Sequence, residues 1–253
     1  MTLLGPALEG PPWSDRYNLM MRTIISRFAV LSPAVALAFA VVIGCAAPPA
    51  DTPQPQPSPT AAAPTPVAAT TIAVLGDSLS AGYGLPESEA FPAVVESLLR
   101  GRGHSVRVLN AGVSGDTTAG GLNRLDWILR QRPEILVVEL GGNDALRGQP
   151  LENIEANLRA IVTGARAAGA RVLLLGMDLP TNYGPDYSSG FAAIYERIGD
   201  DEGVSLVPGF MREVGLDQSL LQADGLHPTA EGQRRLAASL IEPLEQMIAL
   251  SRR

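Results

Sequence analysis

From Thr71 onward the chain alternates short apolar runs with longer stretches of helical pattern, and this alternation restricts the fold more than any other feature. The runs are 71–75 (TIAVL), 106–110 (VRVLN), 134–140 (EILVVEL), 171–176 (RVLLLG) and 204–207 (VSLV). They are rich in Val, Ile and Leu and mostly lack polar alternation, as strands covered on both faces do. Helical stretches lie near 90–101, 118–131, 151–168, 188–202 and 229–250. Strand following helix in this way reads as an α/β layered domain around a parallel sheet. Residues 71–253 would make one domain of ordinary size. Glu139 stands inside the third run. A charge in a buried strand is costly unless paired, so an Arg is the expected partner.

The segment before this domain has a different character. Met1 to Leu19 shows no clear periodicity. Met20 and Met21 precede Arg22 and Arg27, and an apolar run extends from Phe28 to Ile43. A charged stretch leading into an apolar one is the pattern of a secretory signal, with translation expected to start at Met20 or Met21. The run contains Ser32 and Pro33 and falls short of the ~20 apolar residues that span a bilayer. It ends in Val42-Ile43-Gly44-Cys45, which resembles the lipobox of bacterial lipoproteins. The resemblance implies cleavage before Cys45 and acylation of that residue; an uncleaved anchor helix is the alternative. Residues 46–70 are dominated by Ala, Pro, Thr, Gln and Ser, with Asp51 the single charge. Such a segment buries too little apolar area to fold and reads as a semi-rigid tether. The expected organisation is a signal region over 1–44, a tether over 45–70 and a folded domain over 71–253.

Composition removes several chemistries. The net charge of −7 argues against nucleic acid, which calls for clustered positive charge. All 19 basic residues are Arg. Without Lys there is no Schiff-base chemistry, no Ser-Lys dyad and no phosphate-loop Lys. The one Cys and two His make no metal-binding spacing, so neither metal nor cofactor is expected, and no internal disulfide can form. Any general-base His is His104 or His227. Cleavage before Cys45 removes three Arg and two acids, leaving 16 − 24 = −8. Attraction to anionic lipid would not hold such a domain at a membrane, so a lipid at Cys45 would have to.

In open parallel sheets ligands bind beyond the carboxyl ends of the strands. Gly76-Asp77-Ser78 follows the first run, Ala111 to Asp116 the second, and Gly141-Gly142-Asn143-Asp144 the third. Asp224-Gly225-Leu226-His227 comes after the fifth, at some distance. Ser78 sits where a strand turns into the next segment, a position that can expose a nucleophile. Asp224 lies three residues before His227 and can reach its imidazole to set the tautomer. Asn143 and Gly115 are candidate oxyanion donors, through an amide and a backbone N–H. His104 enters the opposite end of a strand and reads as a solvated surface residue. Taken alone, each motif is more often a turn or a cap; four of them in order at one sheet edge are not.

These blocks resemble those of the SGNH (GDSL) hydrolases: Gly76-Asp77-Ser78-Leu79-Ser80, Gly115, Gly141-Gly142-Asn143-Asp144 and Asp224-Gly225-Leu226-His227-Pro228. Asn110 to Thr117 and Leu179-Pro180-Thr181-Asn182-Tyr183-Gly184 resemble a bacterial acyl-CoA thioesterase, lysophospholipase and arylesterase group within that family. The resemblance covers essentially all of 71–250. It implies a three-layer α/β/α sandwich with a five-stranded parallel sheet in flavodoxin-like order. It implies Ser78 as nucleophile, His227 as base and Asp224 as its orienting partner. The Ser78 and Gly115 N–H groups and the Asn143 amide would form the oxyanion hole. The segment 178–190, with Tyr183, resembles a loop bordering the acyl pocket. The expectation is a monomeric serine esterase on the extracytoplasmic side of a membrane, taking acyl esters and also thioesters and lysophospholipids. A polysaccharide deacetylase on the same fold and a non-catalytic binding lipoprotein remain as alternatives.

Overall fold

The structure is a computed structural model that describes residues 69–250 except Pro180. The expected signal region, Cys45 and nearly all of the tether therefore lie outside the described residues. Five strands form one sheet: β1 (Thr70–Gly76), β2 (Val106–Gly112), β3 (Ile135–Glu139), β4 (Arg171–Leu175) and β5 (Ser205–Val207). All pairings are parallel, in the order β2-β1-β3-β4-β5. The five apolar runs are these five strands, shifted by a residue or two at their ends.

Among the described residues eight helices accompany them: α1 (Ser78–Ala81), α2 (Phe91–Gly101), α3 (Thr118–Leu129), α4 (Gly142–Leu146), α5 (Leu151–Ala167), α6 (Pro185–Glu202), α7 (Arg212–Gly215) and α8 (Ala230–Leu250). The long ones coincide with the helical stretches of the sequence. Helix α6 starts three residues earlier than expected, because Pro185 stands in its first turn, where a missing N–H is harmless. The short helices α1, α4 and α7 carry too few residues to show a period, and their pattern did not announce them.

Period-2 alternation divides the strands between two cores. Ile72, Val74, Ile135, Val137, Leu173 and Leu175 face one side and pack with Phe91, Val95 and Leu99 of α2 and Leu236, Leu240 and Leu244 of α8. Ala73, Leu75, Leu136, Val138, Val172 and Leu174 face the other, against Leu125 of α3, Leu158 and Ile161 of α5 and Phe191 and Ile194 of α6. This is a three-layer α/β/α sandwich. Central β3 is buried throughout and β1 at every residue but Thr71, whereas the edge strands β2 and β5 are partly exposed.

The chain leaves β1 towards β2 on one side and later returns as β3 on the other. The order reverses there, the place beyond the carboxyl ends of the strands where open parallel sheets form a crevice. Ser78 opens α1 directly after β1, and Asn143 lies in α4 directly after β3.

Candidate active site

Ser78, Asn143, Gly115 and His227 all line one cleft of about 480 Å³ at that crevice. Asp77 caps α1, its Oδ1 accepting the Leu79 N–H at 3.0 Å. Ser78 is therefore the first residue of a helix too short to hold itself together. Its stability comes from outside.

Three neighbours supply it. The Gln233 side chain, buried in α8, donates to Leu79 O at 3.0 Å and accepts the Phe91 N–H at 2.8 Å, pinning α1 and the start of α2 to α8. The Asn110 amide donates to Ser80 O at 2.8 Å. The third is Glu139. Its Oε2 accepts the Asp77 N–H at 3.2 Å, the Ser80 N–H at 3.1 Å and the Ser80 hydroxyl at 2.6 Å. No Arg among the described residues pairs with it, contrary to expectation. Its other oxygen is buried without a hydrogen-bond partner. The glutamate meets the domain as a hydrogen-bond acceptor rather than as half of an ion pair. Burial, and then the nearby Asp77, push its pKa well above the usual carboxylate range.

The candidate base arrives on a separate loop. His227 Nε2 is 2.9 Å from Ser78 Oγ, and its Nδ1 is 2.7 Å from Asp224 Oδ2. Asp224 Oδ1 also accepts the Leu226 and His227 N–H groups, each at 3.0 Å. The His227 hydrogen bond, followed by these two, drives the Asp224 carboxyl far below its ordinary value. An ionised carboxylate only accepts, so the imidazole proton belongs on Nδ1. That leaves the Nε2 lone pair facing the Ser78 hydroxyl. The Tyr83 ring lies against the imidazole, with centroids 4.4 Å apart, and the Tyr83 carbonyl accepts from Gln222 of the same loop.

The third group of residues offers donors. Asn143 Nδ2 gives one hydrogen to Asp77 Oδ2 at 2.9 Å. Because a carboxylate cannot donate, Nδ2 must be the atom facing Asp77, and the second amide hydrogen is free for the cleft. Gly115 has φ +80°, a left-handed conformation that suits glycine. Its N–H bonds to no described residue, nor does that of Ser78, as expected at a helix start. Arg124 steadies the loops behind these donors. It pairs with Asp116 at 2.7 Å, donates to Gly76 O at 2.8 Å and also reaches Ala111 O.

The rest of the cleft is largely apolar, lined by Leu146, Met177, Leu179, Met211, Leu221 and Leu226. Leu179 belongs to the segment expected to border it, but Tyr183 does not line it. Tyr183 lies instead in a 3₁₀ turn leading into α6. Asp144 of the Gly141–Asp144 block turns inward and accepts from the Thr118 N–H and hydroxyl at 2.9 and 2.6 Å. His104 is not freely solvated: it is partly buried and bonded to Glu245 at 2.9 Å, outside the cleft. Sequence reasoning missed Gln233, Arg124 and the role of Glu139. The one available signal was the presence of a charge inside an apolar strand.

Residues 74–235 match the model of the GDSL-like Lipase/Acylhydrolase family. The chain is 44% identical over 182 residues to Esterase TesA of Pseudomonas aeruginosa, an alignment covering 72% of this chain and 90% of that protein. It is 41% identical over 182 residues to the Thioesterase 1/protease 1/lysophospholipase L1 of Escherichia coli K12, covering 72% and 86%. The crystal structure of TesA superposes with a TM-score of 0.68, covering 70% of this chain and 99% of that one.

Proposed function

The chain belongs to the GDSL-like lipase/acylhydrolase family, and from that premise we propose that it is a serine esterase whose catalytic triad is Ser78, His227 and Asp224. The observation that carries this reading is the unbroken line from Asp224 to His227 to Ser78, at 2.7 and 2.9 Å, opening into an apolar cleft. Ser78 Oγ attacks the acyl carbonyl while its proton passes to His227 Nε2. Asp224 holds the imidazole in the Nδ1–H tautomer and stabilises the imidazolium that forms. The Ser78 and Gly115 N–H groups and the free hydrogen of the Asn143 amide receive the negative charge that develops on the carbonyl oxygen. Collapse of the tetrahedral intermediate breaks the bond to the leaving group, which takes the proton back from His227. Water then repeats the sequence and releases the acid.

The substrate class is a small-molecule ester. The apolar lining favours an acyl chain over a lone acetyl group, which supports acyl esters, thioesters and lysophospholipids over a polysaccharide deacetylase. The test is turnover of p-nitrophenyl esters from acetyl to palmitoyl by the full chain, beside Ser78→Ala. Hydrolysis that extends past hexanoyl and vanishes in the variant is expected. A profile confined to acetyl would overturn the lipid-type reading, and turnover surviving in Ser78→Ala would overturn the nucleophile. We further propose that the chain is exported, cleaved before Cys45 and anchored by lipid there, with 45–70 as its tether. Mass spectrometry of the mature N-terminus is expected to show a diacylated or triacylated Cys45; an unmodified cysteine sinks the anchor.

A further inference from the structure

A fully buried carboxyl with no cation among the described residues, placed inside a central strand directly behind a nucleophile, calls for a physical reason. We propose that Glu139 is a positioning residue for the oxyanion side of the site: it gathers the Ser78 turn onto β3 and, through Asp77, aims the Asn143 amide into the cleft. The inference rests on the reading of Asn143 as an oxyanion donor.

Two independent features of the geometry support it. The first is the set of three donors on Oε2, which comes from both ends of the turn, Asp77 and Ser80, and brackets Ser78 between them. The Asp77 N–H thereby fixes the residue whose two carboxylate oxygens hold Leu79 N on one side and Asn143 Nδ2 on the other. A chain of hydrogen bonds runs from Glu139 to Asp77 to Asn143. The second feature is space. Gly76 and Glu139 are paired in register on β1 and β3. A Cβ at Gly76 would lie 1.9 Å from Ser80 Oγ and 2.6 Å from Glu139 Oε2. The glycine that begins the Gly76-Asp77-Ser78 block leaves room for this carboxyl.

An acceptor role is compatible with the burial. A carboxyl taken from water with no counter-charge keeps its proton rather than remaining ionised. One oxygen still accepts in the neutral acid, so glutamine reproduces the arrangement and leucine removes it.

The test measures kcat and KM of the full chain on p-nitrophenyl butyrate for wild type, Glu139→Gln, Glu139→Leu, Asn143→Ala and the Glu139→Leu/Asn143→Ala double variant. Glu139→Gln is expected to keep kcat within about 3-fold. Glu139→Leu is expected to lower kcat by about 10- to 100-fold with KM nearly unchanged, a fraction of what losing an oxyanion donor removes. In the Asn143→Ala background the same change is expected to remove less than about 3-fold more, since residues acting through one another are non-additive. An equal loss in both backgrounds, or a Glu139→Gln as impaired as Glu139→Leu, overturns the inference while leaving the triad standing. An Asn143→Ala with full activity overturns it together with the oxyanion reading. Where circular dichroism shows Glu139→Leu unfolded, Ser80→Ala, which deletes the 2.6 Å bond alone, serves in the same two backgrounds. It is expected to lower kcat only where Asn143 is present, and a loss of equal size without Asn143 overturns the inference.

Discussion

The Ser78 turn at 77–80 and the histidine loop at 222–228 are organised by the same device, with carboxyl pKa values shifted in opposite directions. In each, one carboxyl collects three donors. Asp224 takes the Leu226 and His227 N–H groups and the His227 ring. Glu139 takes the Asp77 and Ser80 N–H groups and the Ser80 hydroxyl. Hydrogen bonds of this kind lower a carboxyl pKa, and at Asp224 they prevail because its side chain is 42% exposed and water still solvates the charge. At Glu139 the same bonds are outweighed by desolvation, and its pKa is pushed well above the usual carboxylate range. Accessibility to water, rather than the list of partners, decides which way each carboxyl's pKa moves. The lowered one lies beside the His227 imidazole, and the raised one behind the turn that carries Ser78.

The largest test of this division is Ser78→Ala, which is expected to lower kcat by about 10⁶ with the melting temperature little changed, as loss of a triad nucleophile does elsewhere. Next comes the charged carboxyl. Asp224→Asn is expected to lower kcat by about 10⁴, because an amide facing Nδ1 permits the wrong tautomer. A loss of only a few-fold would show that the exposed carboxylate is dispensable and would break the comparison at its charged end. Asn143→Ala is expected to cost about 10²–10³ in kcat, measured on the same ester series.

The smallest expected effect reads the buried carboxyl through stability. Glu139 has its pKa raised on folding above the ordinary value of 4.5. The folded state therefore holds a proton that the unfolded state releases. This contribution is fully present below the unfolded pKa, declines as pH rises past it, and is spent once pH passes the folded value. Its slope is at most about 1.4 kcal/mol per pH unit. Asp77, also raised by burial, titrates beside it and belongs to the same response. Denaturant titrations between pH 5 and 8 are expected to show a shallower decline in Glu139→Gln than in wild type. Parallel curves would mean that Glu139 folds already ionised.

Much of the fold was legible because it rests on local periodicity. All five strands and the five long helices stand where the apolar runs and helical stretches put them, since burial on one face imposes a period that any window of residues displays. The short helices α1 and α4 were not legible, because a single turn has no period. They form where long-range partners hold them, as Gln233 and Glu139 hold α1.

The order of the blocks, the small number of His residues and the absence of Lys were enough by themselves to single out Ser78, Asn143, Asp224 and His227 and to exclude most other chemistries. Tertiary structure alone decided what stands behind those residues. Glu139 was expected to meet an arginine and instead meets backbone from residues 59 and 62 positions away, while Arg124 braces the ends of β1 and β2. Such partners depend on the register of β1 against β3 and on how closely Gly76 lets them approach. Those are properties of packed strands, and no stretch of sequence carries them until the sheet has formed.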